Sequence, residues 1–298
     1  MIKIAGTRLK ALSALRQAAQ CLALCLWAAS GSAHAQANAL EHQPLLLALN
    51  KARQQGCEGR PGLATPLREN SRLSGAAALI AGGSKLDAAM QTAGYRAVQA
   101  TQITLQGYAG ATALAQGAVS NSCSAMTQTE LTEVGFHQRG SQTWIVLAAP
   151  FSPPAAAQAG DVQAQVLALV NEARAKPRQC GTQAFAAART VKLNVTLQGV
   201  APAHAEDMAR YNYFSHTGRD GSKVAERASR AQYPWRAIGE NIAAGQMQAD
   251  LAVQGWLKSP GHCANIMSPA YTEMGVAFAV NTKSSDGIYW VQVLGAAR

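Results

Sequence analysis

The chain of 298 residues carries an internal echo of itself. Asn50-Lys51-Ala52-Arg53 followed by Cys57 resembles Asn171-Glu172-Ala173-Arg174 followed by Cys180, and Asn70-Ser71-Arg72-Leu73 resembles Asn194-Val195-Thr196-Leu197. Ser84-Lys85-Leu86 runs to Tyr95 with the spacing at which Ser222-Lys223-Val224 runs to Tyr233. Cys123 stands ahead of Thr132-Glu133-Val134-Gly135 as Cys263 stands ahead of Thr272-Glu273-Met274-Gly275. Each series closes on an aromatic segment, Thr143-Trp144-Ile145-Val146 or Tyr289-Trp290-Val291-Gln292. Matches kept in one order over so long a stretch predict two copies of one domain, and the period is too long for a solenoid array. The break falls in Phe151-Ser152-Pro153-Pro154 and the Ala/Gln/Gly stretch behind it. The expected domains are therefore 40–150 and 161–298, joined by a linker over 151–160.

Apolar spacing supplies the elements. Val162, Val166, Leu169, Val170 and Ala173 recur as on one helix face behind a cap at Asp161, and Pro177 stops the run. Leu197, Ala201, Ala205 and Met208 form a second stripe, and a third helix carrying Leu251, Trp256 and Leu257 ends before Pro260. Val276, Phe278 and Val280 alternate as a strand does, Asp286-Gly287 turns the chain, and Ile288 to Leu294 runs back. These surfaces are buried when helices cover both faces of a small, largely antiparallel sheet, an α+β fold.

The first 35 residues read as a secretory signal: four basic residues, an apolar run over Cys21 to Ala29, and the small-residue pattern Ala33-His34-Ala35. That run is too short to span a membrane, and no later segment approaches the required length. Mature chain would start at Gln36, exported to the periplasm or beyond. Four cysteines then remain in an oxidising compartment, Cys57, Cys123, Cys180 and Cys263, and suggest two disulfides. Pairing within copies, Cys57–Cys123 and Cys180–Cys263, would close long loops worth roughly 4–5 kcal/mol each on chain-entropy grounds. The mature charge is 22 basic against 16 acidic residues, or +6, which is mildly attractive to anionic envelope polymers. Clustered Lys or Arg interleaved with aromatics is absent, so nucleic acid is not an expected partner.

One set of motifs in residues 161–298 is more specific. His204-Ala205-Glu206-Asp207-Met208-Ala209, Tyr213-Phe214-Ser215-His216, Gly239-Glu240-Asn241-Ile242, Trp256 through Cys263 and Thr272-Glu273-Met274-Gly275 together resemble the bacterial branch of the CAP superfamily, the cysteine-rich secretory, antigen 5 and pathogenesis-related proteins. The resemblance implies an α-β-α sandwich with a central cleft where two histidines and acidic residues converge, in several members around a divalent cation. By motif match the cleft residues are His216, His262 and Glu240. The place of a second acid, three residues after Trp256, is held by Ser259.

Two imidazoles and one carboxylate with an open position suit zinc, and a metal so held lowers the pKa of bound water to about 7. The same groups also exist without metal, a buried Glu240 hydrogen-bonding a histidine. His204 falls within an apolar stripe and reads as a core or cleft-edge histidine, with Ser259 a second cleft-edge candidate. Glu273 has a counterpart in Glu133 and reads as structural; Asp207 and Glu226 read as solvated or paired helix residues. A thiol–imidazole pair of His262 and Cys263 would need a free cysteine, against the disulfide reading, and neighbours in extended chain point apart. The first copy keeps the cysteines and apolar pattern but not the cleft: about fourteen residues are missing between Ile80 and Ser84, Thr101 stands for Glu240 and Ser122 for His262.

The family resemblance implies binding of a lipid, glycan or protein of the envelope, with no reaction common to its members. The alternative is a metal-assisted hydrolase of peptide or cell-wall material, for which no separate general base is evident. A tandem module with a vestigial cleft is the third reading.

Overall fold

A computed structural model describes residues 42–298, which fall into two compact units divided between Phe151 and Ser152. The expected signal segment over 1–35 lies outside the described residues. No helix among the described residues is long and apolar enough to cross a membrane.

The first unit runs α1 (42–55), β1 (Arg68–Glu69), α2 (Ser71–Ala81), α3 (Leu86–Thr92), β2 (Ala97–Gln106), α4 (Ala111–Asn121), a short α5 (Cys123–Met126), β3 (Glu133–Arg139) and β4 (Gln142–Pro150). Its sheet has the order β1-β3-β4-β2, with β1–β3 parallel and the other pairs antiparallel. Because successive strand residues point to opposite faces, β4 feeds two cores. Ile145 and Leu147 pack with Leu45, Leu49, Leu114 and Met126 on one side. Trp144, Val146 and Ala148 pack with Leu73, Ala77, Ala89 and Met90 on the other. Disulfide Cys57–Cys123 ties the segment after α1 to the start of α5.

The second unit runs α6 (Ala159–Arg174), β5 (Arg178–Cys180), β6 (Gln183–Phe185), β7 (Lys192–Leu193), α7 (Val195–Tyr211), α8 (Val224–Arg230), β8 (Trp235–Ala244), α9 (Ala249–Lys258), α10 (Pro260–Met267), β9 (Glu273–Val280) and β10 (Ile288–Ala297). Its main sheet is ordered β7-β9-β10-β8, β7–β9 parallel and the rest antiparallel. Helix α7 begins where the Asn194 side chain accepts the Thr196 and Leu197 amides. Its stripe of Leu197, Ala201, Ala205 and Met208 is wholly buried on Tyr289, Val291 and Val293. Helices α6, α9 and α10 pack against one another and against β8 and β9. Gly275 is needed where α7 crosses β9, since a Cβ there would lie 2.2 Å from the Leu197 carbonyl. Disulfide Cys180–Cys263 joins β5 to α10.

Three sequence expectations change. Asp161 does not cap: α6 starts at Ala159 after Gln158, and Asp161 sits in the first turn, where its charge favours the amide end of the helix. Leu251 is 45% exposed, and Ala252, Val253 and Trp256 carry the inner face of α9. Gly275 and Glu240 both pair with Val293, whereas Gly135 pairs with Val146, whose β2 partner is Gln102. Strand register thus sets Gln102, not Thr101, at the place of Glu240.

Candidate functional site

Three elements carry the candidate cleft residues. His216 lies on the loop between α7 and α8, Glu240 on β8, and His262 in the first turn of α10. Pro260 takes the first position of α10, where its fixed φ suits a helix start and its missing N–H costs no bond. Below the cleft, Asn265 donates to the Glu240 carbonyl at 3.2 Å and to Asn241 Oδ1 at 2.9 Å. Asn241 in turn donates to the His262 carbonyl at 3.2 Å and to Gln292 Oε1 at 2.9 Å. Helix α10 is therefore stitched to β8 by amides as well as by its cystine.

His216 Nδ1 is 2.8 Å from Glu240 Oε1, and the rings of His216 and His262 are 6.2 Å apart between centroids. Glu240 is 2% exposed at its side chain while His216 is 53% exposed, so a buried carboxylate holds an imidazole that still faces solvent. The other carboxylate oxygen accepts from Arg227 Nη2 at 2.6 Å. The same guanidinium also donates to the carbonyls of His216 and Ser222. Arg227 thereby fixes both the backbone of His216 and the carboxylate that receives its ring. Burial, reinforced by the neighbouring His216, pushes the His262 pKa down, which favours its neutral imidazole.

His204 is 2% exposed, with Nε2 2.9 Å from the Ser215 carbonyl, and burial holds its pKa down. It also lines a cavity between α7 and α8. Ser259 precedes α10 without a side-chain capping bond, and its carbonyl accepts the Cys263 amide at 2.9 Å. Glu273 accepts from the Tyr233 hydroxyl at 2.7 Å, Asp207 accepts from the Tyr213 hydroxyl, and Glu226 accepts the Lys223 amide. Cys263 is bonded to Cys180, so no thiol is paired with His262. Sequence reasoning missed Arg227, Asn241 as a buried bridge, and Asn265. Asn241 stood inside a recognised motif; Arg227 gave no signal beyond its charge.

Residues 167–294 match the family described as CAP, the cysteine-rich secretory protein family. The second unit carries a CAP domain. The chain is similar to the uncharacterized membrane protein YlbC of Bacillus subtilis strain 168, 38% identical over 77 residues, which are 26% of this chain and 22% of that protein. It is 30% identical over 104 residues to the uncharacterized protein YkwD of the same strain, covering 35% of this chain and 38% of that one. The chain thus spans well under half of the length of these curated relatives. A solved extracellular protein containing a SCP domain from Bacillus anthracis str. Ames is similar at 22% identity, covering 52% of each chain with a TM-score of 0.39.

The geometry of the CAP cleft bears on the cation its family resemblance implies. Among the described residues, no three His, Cys, Asp or Glu side chains are grouped to hold a metal ion. Both oxygens of Glu240 already have partners, so the three-ligand set of His216, His262 and Glu240 does not fit this arrangement. Two imidazoles with a carboxylate behind one of them do fit a weaker site, since a ligating histidine commonly gives its other nitrogen to such a carboxylate.

Proposed function

We propose that this is an exported, envelope-associated binding protein whose CAP cleft engages its ligand through the exposed imidazole of His216 and the half-buried imidazole of His262. The ligand is a lipid, glycan or protein of the envelope. One observation carries the reading: an exposed imidazole anchored on a buried carboxylate, beside a second imidazole biased towards its neutral form. Two cystines favour an oxidising compartment and so support export. His216 and His262 are also the groups that would hold a divalent cation, of which zinc suits imidazole, while Glu240 would orient His216. A bound cation would add a Lewis-acidic contact for a ligand oxygen. The hydrolase alternative is weaker, because Glu240, with both oxygens engaged, is a poor candidate for the missing proton acceptor.

The proposal extends to the first unit as a degenerate copy of the CAP fold, kept for packing or partner contact. Supporting it are the matching strand orders and the Tyr95–Glu133 hydrogen bond at 2.8 Å, which parallels Tyr233–Glu273 at 2.7 Å. Asn50 also exchanges two bonds with the Leu67 backbone as Asn171 does with that of Val191.

Co-sedimentation with phospholipid vesicles and with peptidoglycan sacculi, together with metal analysis, tests the reading. Binding to one of them is expected to weaken at least about 10-fold in the His216→Ala, His262→Ala double variant, the loss of one or two good polar contacts. Undiminished binding would overturn the assignment to the cleft. Zinc-dependent turnover of peptide or sacculi, abolished by Glu240→Ala, would replace it with the hydrolase.

A further inference from the structure

A cavity of about 760 Å³ lies between α7, α8 and the 218–222 turn, and neither His216 nor His262 lines it. Its volume falls in the range of small-molecule sites and far exceeds a single inorganic ion. Its lining combines the small and apolar residues Gly199, Val200, Ala203 and Ala231 with the guanidinium-bearing Arg219, Arg227 and Arg230. The acids at its rim are already engaged: Asp220 accepts from Ser222 and Arg230, and Asp207 accepts from the Tyr213 hydroxyl. Arg227 is spent on Glu240, and the neutral form of His204 is favoured by burial.

Arg219 is different. It forms no salt bridge with a carboxylate among the described residues, and its guanidinium lies 3.7 Å over the ring of Tyr211. Stacking holds the plane of the fork while leaving its edge donors free, the geometry in which arginine receives a carboxylate bidentately. Arg230, 61% exposed and paired only with the exposed Asp220, can contribute a second donor from the adjoining helix. Of the charged side chains lining the cavity, Arg230 pairs with Asp220 and Arg227 with Glu240, so Arg219 is the cation without an acid partner among the described residues, while Asp207 keeps its charge against the Tyr213 hydroxyl.

We propose that this cavity is a second ligand site of the protein, separate from the imidazole cleft, which takes a small organic carboxylate with a planar or apolar body. The carboxylate lies on Arg219 with Arg230 beside it, and the body lies along Val200, Ala203 and Ala231. This site does not depend on the reading of the CAP cleft.

Benzoate titrated into the full-length protein and followed by NMR tests it, with benzyl alcohol as the uncharged analogue and inorganic phosphate as the bare anion. Benzoate is expected to bind at least about 10-fold more tightly than either. Arg219→Gln, at an exposed position where folding is not at stake, is expected to weaken benzoate about 10-fold or more, and Arg219→Lys several-fold. His262→Ala should leave benzoate unaffected. Equal binding of benzyl alcohol or phosphate, an unchanged affinity in Arg219→Gln, or loss of benzoate in His262→Ala would each overturn the proposal.

Discussion

Arg53 and Arg174 end matching motifs on α1 and α6, and both are buried, at 1% and 0% exposure. Their surroundings differ sharply. Arg174 gives its donors to four carbonyls, those of Arg189, Ile266, Ser268 and Tyr271, at 2.6–3.1 Å, and so ties α6 to the end of α10, the segment after it and the stretch before β7. Arg53 donates to the Gln128 carbonyl at 2.7 Å, while its Nε and Nη1 have no protein partner. The unit that bears the cleft has a satisfied buried cation beneath the helix presenting His262. The first unit buries its arginine without such a network.

The largest effects should separate these two arginines. Replacing Arg174 with Met removes the donor to four carbonyls, that of Ile266 in a fully buried bond, and should cost the second unit about 3–5 kcal/mol, whereas Arg53→Met should cost under about 1 kcal/mol or stabilise. Denaturant unfolding followed unit by unit checks this, and equal losses would erase the distinction. Glycine should show likeness instead. A Cβ at Gly135 would meet the Leu73 backbone at 2.1 Å, much as at Gly275, so Gly135→Ala and Gly275→Ala should each destabilise their own unit by about 2 kcal/mol or more. A tolerated alanine in one unit alone would break the parallel.

Removing one cystine at a time should likewise give similar losses of about 2–4 kcal/mol, because bridges of 66 and 83 residues differ in closure entropy by only about 0.2 kcal/mol. The smallest expected effect is on pH. Burial pushes the pKa of His204 and His262 down in the second unit, and that of His137 in the first. Below the ordinary histidine range the unfolded chain takes up protons that these folded sites resist, so acidification should destabilise both units, the second more. Unfolding midpoints at pH 5 and pH 8 measure it; a second unit more stable at pH 5 would contradict the assignment.

What the sequence revealed follows the same physics. The helix stripes and the hairpin ending at β10 were legible because period and turn residues pointed one way, whereas the meeting of residues 216, 240 and 262 was implied only by the family resemblance of their motifs. Arg227 was not, since an arginine on a seven-residue helix has the same sequence signature whether it faces solvent or a buried carboxylate. Thr101 was misplaced by a single position, which in a strand exchanges one face for the other. Leu251 misled because a leucine on a helix need not face inward.

Zinc titration followed through the histidine side-chain resonances probes the central contrast most directly. Zinc should shift His216 and His262 and leave His42 and His137 of the first unit unmoved. Shifts of equal size in both units, or none at residues 216 and 262, would contradict a cleft gathered by the second unit alone.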